Sequence, residues 1–439
     1  MTSSARFLPC RAAFSLAAAA VVFALGGCAA EPTLTCSGGR VASHSGSCVC
    51  PASDQIYAGG KCIHKRGMLP KMYSNVVDSG GNTGVGVGMA LDKSNYPHVA
   101  YLEYEKQDLR YATLDPKTTR WKIENVDVAG DVGIDPSLAL AYPGGTPRPA
   151  VAYYDASQHA LKGAYRSSDG WIRKFLDPRQ PDPSLDRGTH SSIAVGAGAD
   201  GTPVAHIAYI DVINQDLYYV RWNLAKPDDV SKPRLIDSGF SLINDQAYGS
   251  GVIDDQTSIA LDVVGEPVIS YRDVKNGDLK VAAYDQKTDA WQVTFVDNNP
   301  LTQLNYEDLG EFSSIAVDSI DNYHVAYFDR TYGALKYALF DGSDWTTETV
   351  DRGEVGYYAS IAVGKDRSPF IAYFDKVNAS AKIAHRSRDG TWQIATVARY
   401  GISGQFVRLA LTDIDWPAIA YREVNSEALY FDYILSVFP

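Results

Sequence analysis

No cysteine occurs after Cys62 in a chain of 439 residues. Most of the molecule is therefore built without disulfides and without thiolate metal ligands. Lys and Arg number 40 against 52 Asp and Glu, a formal charge of −12, and no basic run interrupts the chain. Phosphate binding needs clustered cations, so a nucleic-acid partner is not expected. Charged residues make up only 21% of the chain, while 45% is hydrophobic and Tyr alone occurs 28 times. Wholesale disorder is excluded by that composition, because there is ample apolar material for a core.

What is present falls into three parts. Residues 1–27 read as a targeting segment: Arg6 and Arg11 give a positive start, Ala12 to Leu25 is apolar, and Leu25-Gly-Gly-Cys28 closes it. The apolar run is short of the roughly 20 residues that a membrane helix needs. An ordinary signal peptide cut near Ala29 or Ala30 and a retained membrane helix are the alternatives. Residues 28–66 hold Cys36, Cys48, Cys50 and Cys62 in a Gly- and Ser-rich segment. A module this small needs staples in an exported, oxidising compartment. Three pairings are possible, with Cys48 to Cys50 disfavoured by its tight loop. Zinc is a rival reading, for which C-x-C is poor spacing.

Residues 67–439 repeat one four-part unit. Its clearest copy is Ser314-Ile-Ala-Val-Asp318, Tyr323-His-Val-Ala-Tyr-Phe-Asp329, Leu335-Lys-Tyr-Ala338 and Trp345-Thr-Thr-Glu-Thr-Val-Asp351. The alanine of the first part recurs at Ala90, Ala139, Ala194, Ala260, Ala316, Ala362 and Ala410, about every 53 residues, as in a β-propeller of four-stranded blades. Second strands such as Phe370-Ile-Ala-Tyr-Phe374 are continuously apolar, as a strand covered on both faces requires. Fourth strands open at Trp121, Trp171, Trp291, Trp345 and Trp392, and most end in Asp. The last blade stops after three strands, whereas residues 71–78 read as an orphan fourth strand ahead of the first blade. An all-β, seven-bladed propeller is expected, with the N-terminal strand completing the last blade and removing exposed edges.

Three resemblances accompany this reading. Leu25-Gly-Gly-Cys28 resembles a bacterial lipobox. That implies a lipidated Cys28 as the first mature residue, and Ala29 after it implies the outer membrane, with the side left open. The C-x-C between two outer cysteines resembles part of an EGF-like module, two cysteines short. Ser167-Ser-Asp-Gly-Trp171 and Ser387-Arg-Asp-Gly-Thr-Trp392 resemble degenerate Asp-box turns of sialidase-like propellers. Those turns stabilise the fold remote from the active site and say little of chemistry.

Seven acids follow the second-strand Tyr: Glu103, Asp155, Asp211, Asp273, Asp329, Asp375 and Glu423. They read as caps of their own hairpins or partners of the next blade, and against them stands a cation-binding ring. His98, His206 and His324 start second strands of non-adjacent blades, poor geometry for a shared metal. Departures from the unit are the better candidates. Five blades carry Ser before the first-strand apolar-Ala pair, whereas blade one has Gly88 and blade seven Arg408. Beside a glycine that leaves space, Arg408 would hold an anion or carboxylate near the channel mouth, or would bridge Glu423 in its own blade. Arg272 and Arg422 replace an otherwise apolar position, and the long inter-blade loops bring Tyr248 and Tyr306, with Tyr357 and Tyr358 entering blade six. Aromatic faces among acids and amides suit sugars or peptides, or merely pack the rim. The expected function is a lipid-anchored, monomeric binding or scaffolding module for a glycan or protein ligand, without cofactor or metal. A glycan hydrolase or lyase is the alternative, and it needs converging carboxylates or an arginine cluster with Tyr.

Overall fold

The computed structural model describes residues 41–42, 48–49, 55–58, 61–64, 69, 72, 74–177, 185–214, 216–238, 257–273, 277–297, 308–397 and 401–434. The chain divides into two compact units, Met1–Lys65 and Arg66–Pro439. In the first, Val41–Ala42 pairs with Cys48–Val49, and Gln55–Ala58 with Lys61–His64, both antiparallel. Cys48 and Cys62 thus lie on strands. Cys28, Cys36 and Cys50 lie outside the described residues. No described helix is long and apolar enough to cross a membrane.

The second unit is a ring of seven four-stranded antiparallel sheets, each ordered first to fourth strand from the axis outward. Blade two shows the pattern in Val132–Ala141, Arg148–Asp155, Ala160–Arg166 and Trp171–Asp177. Burial follows position. Every residue of the second strands Pro97–Glu103, Pro369–Asp375 and Pro417–Glu423 is buried, since neighbouring blades cover both faces. The outer strand Trp121–Asp127 exposes its middle and buries only its end. The seventh blade comprises Ser403–Leu411, Pro417–Glu423, Ala428–Tyr433 and, from the other end of the chain, Val76–Asp78. Leu429 pairs with Asp78 and Tyr430 with Val76, so the expected closure by an N-terminal strand holds.

A single polar latch repeats between blades. The second-strand Tyr of one blade donates its hydroxyl to the Asp that ends the fourth strand of the blade before. The six pairs are Tyr101 to Asp78, Tyr153 to Asp127, Tyr209 to Asp177, Tyr271 to Asp237, Tyr327 to Asp297 and Tyr373 to Asp351, at 2.5 to 2.7 Å. Each Asp also meets a cation: Arg110, Lys162, Arg187, Lys280, Lys336 or Lys382. A hydrogen bond to a charged group contributes about 1.5–3 kcal/mol, so the latch is a substantial part of each blade contact. Between blades six and seven the pattern breaks. The strand Trp392–Val397 is followed by Ala398 rather than Asp, and Tyr421 donates instead to Asp432 of its own blade at 2.8 Å.

The three alternate-blade histidines are structural. Each ring Nδ1 faces a third-strand Tyr hydroxyl in its own blade: His98 with Tyr111 at 2.5 Å, and His206 with Tyr219 and His324 with Tyr337 at 2.7 Å. Those tyrosines in turn meet Trp171, Trp291 and Trp392 of the next blade edge-on, with ring centroids 5.1 to 5.3 Å apart. The second Asp-box-like turn is internally bonded, since Asp389 Oδ1 accepts from Ser387 Oγ, Thr391 Oγ1 and Thr391 N. Those donors hold the Asp389 carboxyl down at about 2.

Candidate functional site

The innermost strands enter their blades irregularly, and always in the same way. In the six blades whose entry is described, the ladder slips twice, at a glycine and again beyond the residue two places later. Glycines 84, 133, 188, 310, 356 and 404 all have positive φ. At Gly133, a Cβ would lie 2.8 Å from the Leu109 backbone of the preceding blade, so only glycine allows the approach. The residue two places on is also left-handed: Gly86, Asp135, His190, Phe312, Tyr358 and Phe406, with φ between 50° and 64°. Bulky residues rarely adopt this region, and held there they carry strain that recurs at binding and catalytic sites. The equivalent positions of blade four, Asp254 and Gln256, lie outside the described residues.

At this left-handed position the seven-fold repeat splits in two. Blades five, six and seven supply an aromatic arc in which Tyr358 packs against Phe312 and Phe406, with centroids 5.0 and 4.7 Å away. All three are buried. Blades two and three supply a polar arc. The His190 backbone N–H donates to Asp135 Oδ2 at 3.1 Å, the imidazole Nδ1 lies 3.5 Å from the same oxygen, and Thr257 donates to the His190 carbonyl at 2.6 Å. Asp135 Oδ1 is buried and has no hydrogen-bond partner among the described residues.

Beside this level lies an axial cavity of about 140 Å³, lined by residues from all seven inner strands and including Asp135, His190 and Arg408. Arg408 sits deep among protein atoms but keeps some accessible surface, as a residue facing a small cavity does. Its Nη1 donates to the Val407 carbonyl at 3.0 Å. Burial pushes its pKa down to about 10, against the pull of Asp135, so it stays charged at neutral pH. Burial pushes the Asp135 carboxyl up, opposed by His190 and Arg408. Both groups have thus lost much of their water.

The repeated serines explain why five blades keep them. Ser137, Ser258, Ser314 and Ser360 each accept, through Oγ, the backbone N–H of Ile193, Ile315, Ile361 and Leu409 in the next inner strand, at 3.0 to 3.2 Å. Ser192 bonds instead to Thr257 Oγ1 at 2.8 Å. Gly88 does not leave room for Arg408, contrary to expectation. A Cβ there would lie 2.7 Å from Leu138 N and 2.8 Å from the Pro136 carbonyl; the glycine admits the backbone of blade two.

The other candidates are dispersed. Arg272 is buried and bridges to blade five, pairing with Glu311 at 2.9 Å and with Asp308, a cluster that Arg330 joins. Arg422 is also buried, and donates to Gln405 at 3.2 Å and to Asn82 of blade one at 2.8 Å; burial pushes its pKa down. Arg272, Arg408 and Arg422 are thus carried to three separate surroundings. Tyr357 packs on Phe328 at 4.4 Å and donates to Glu354 at 3.0 Å on the rim, while Tyr358 belongs to the aromatic arc. Tyr248 and Tyr306 lie outside the described residues. Of the acid ring, Asp155, Asp211, Asp329, Asp375 and Glu423 accept backbone N–H groups of their own hairpins. That is the capping role; both Glu423 oxygens are engaged in it rather than offered to Arg408. No group of His, Cys, Asp or Glu able to hold a metal occurs among the described residues.

Asp135 and His190 were not apparent as candidates from the sequence. Their signal is the residue four places before each repeat alanine, which is aromatic in blades five to seven and polar in blades two and three.

No family model matches the chain, and no curated protein does. Solved structures similar to it include the Aleuria aurantia lectin in complex with α-methyl-L-fucoside, with 12% identity, 72% of this chain and 96% of the lectin covered, and a TM-score of 0.47. A Hadza microbial sialidase has 13% identity, 75% and 74% coverage and a TM-score of 0.46. The α-L-arabinofuranosidase of Fusarium graminearum has 10% identity, 84% and 98% coverage and a TM-score of 0.44. At these values the similarities carry no argument about activity, and the propeller assignment rests on the strand pairing itself.

Proposed function

We propose that this protein is a lipid-anchored β-propeller of the outer membrane that acts as a binding module, holding a glycan or protein ligand at its loop-rich face. One observation carries the binding role. The departures from the repeat gather at one end of the inner strands, where Asp135 and His190 face an aromatic arc of Phe312, Tyr358 and Phe406 around the axis. A residue that only serves folding should recur in every blade, as the Tyr–Asp latch nearly does. The inner strands begin opposite the ends of the second strands, as Val132 does opposite Asp155, so this end carries the long inter-blade connections. The anchor is supported by Leu25-Gly-Gly-Cys28 alone.

Catalysis of the sialidase type would need the three arginines to converge on one group, and Arg272, Arg408 and Arg422 have different described partners. A glycan array probed with the full-length protein in detergent, alongside a panel of chromogenic glycosides, tests the reading. Retention of particular glycans without turnover is the expected result. Turnover that Arg408→Ala abolishes would replace the binding module with an enzyme.

A further inference from the structure

The hydrogen-bonding capacity of the axial cavity is unbalanced. Ser137, Ser258, Ser314 and Ser360 line it, and each uses its oxygen to accept a backbone N–H. A hydroxyl that accepts still has its own hydrogen to give, and none of these four donates to a described residue. Arg408 brings its positive charge to the same lining, and a guanidinium has no acceptor to offer. Against these hydroxyls stands the buried acceptor Asp135 Oδ1, which has no hydrogen-bond partner among the described residues.

Unspent hydroxyl hydrogens lining a cavity beside a fixed positive charge call for an acceptor-rich, anionic guest. Size narrows the class. A cavity near 150 Å³ accommodates a molecule of about six heavy atoms, so 140 Å³ takes a carboxylate group but not a whole sugar ring. We propose that the axial cavity binds a carboxylate, free or as the end group of a larger ligand, with Arg408 as its ion-pair partner and the inner-strand serines as hydroxyl donors. The inference names the chemistry taken along the axis of the face described above, and it does not require the larger ligand to be a glycan.

A pH dependence follows from the neighbours. The charged or titratable groups described as facing Asp135 are His190 from blade three and Arg408 from blade seven. A second carboxylate beside Asp135 repels its ionised form, so the guest enters most readily when Asp135 takes a proton from solvent and becomes a further donor. Binding therefore strengthens as the pH falls.

The test is the thermal unfolding midpoint of the full-length protein in detergent, measured in sodium acetate and in sodium chloride of equal ionic strength, at pH 5.5 and pH 8. A ligand that binds only the folded state raises the midpoint. Acetate should raise it relative to chloride, and by more at pH 5.5. Arg408→Gln should weaken acetate binding by about tenfold or more. Asp135→Asn, which keeps the shape and donates at every pH, should bind acetate with little pH dependence. Equal midpoints in acetate and chloride for the unmodified protein would overturn the proposal without any variant. An acetate effect that survives Arg408→Gln would overturn the role of Arg408, and a pH dependence undiminished in Asp135→Asn would overturn that of Asp135. Failure here leaves the glycan-array result standing, and the reverse holds as well.

Discussion

The Tyr101 hydroxyl donates to Asp78 Oδ2 at 2.7 Å, and Arg110 Nη1 meets the same oxygen at 2.9 Å. This one carboxylate joins blade one to the strand that completes blade seven, which pairs at only two registered positions. Removing it leaves the buried Tyr101 phenol without its acceptor and Arg110 with only Glu103 and the Gly80 carbonyl. Asp78→Ala should cost about 1.5–3 kcal/mol and Tyr101→Phe about 1–2 kcal/mol, both read from urea unfolding midpoints. An Asp78→Ala protein as stable as its parent would remove the clasp from any account of stability.

Acid should weaken the propeller through buried His206. Burial, with the Arg221 charge in addition, pushes the His206 pKa down to about 4. The unfolded chain then takes a proton near the ordinary value of about 6.5, while the folded protein refuses it. The contribution of neutral His206 is complete above that value and is lost as the pH falls toward 4. Between pH 7.5 and 5 this amounts to about 2 kcal/mol. In His206→Gln the loss over the same interval should shrink by a comparable amount, as measured by denaturant unfolding at both pH values.

Gly88 gives a steric prediction. The atoms that a Cβ would strike, Leu138 N and the Pro136 carbonyl, belong to backbone held in a neighbouring inner strand. Gly88→Ala should destabilise by about 1–3 kcal/mol, and Gly88→Ser should do no better, although serine is the usual residue at this level. A Gly88→Ser protein of unchanged melting temperature would show that blades one and two have room to part.

Anchoring turns on one atom. If Cys28 carries the lipid, Cys28→Ala should abolish metabolic labelling with a radiolabelled fatty acid and shift the protein from the membrane to the soluble fraction. Continued labelling would place the acyl chain elsewhere or end the anchor proposal.

Blade number, strand order and the closing strand were legible in the sequence because each depends on a local, repeated alternation of residue types. Lys71 to Asp78 could be recognised as a fourth strand simply because a fourth strand was missing elsewhere. The latches were half legible. The second-strand Tyr and the terminal Asp of the fourth strand both stood out, but Tyr153 and Asp127 belong to different blades, and no local pattern says that they touch. The left-handed residues were not legible at all. Nothing in Phe312, Tyr358 or Phe406 as residue types suggests positive φ, which only the glycine two places earlier and the geometry of the bulge impose. Asp135 and His190 were missed for that reason, while Arg408 was found because it interrupts a run of serines.

Val76–Asp78 lies beside Ala428–Tyr433 as a fourth strand lies beside a third in every other blade. The break in the backbone therefore falls where the other blades have a short hairpin. Topologically the ring has no first blade, and its numbering records only the direction of the chain. A peptide link from Ile434 to Ser74, with a new opening at the hairpin between Phe340 and Trp345 of blade five, would give each strand the same neighbours in a circularly permuted chain.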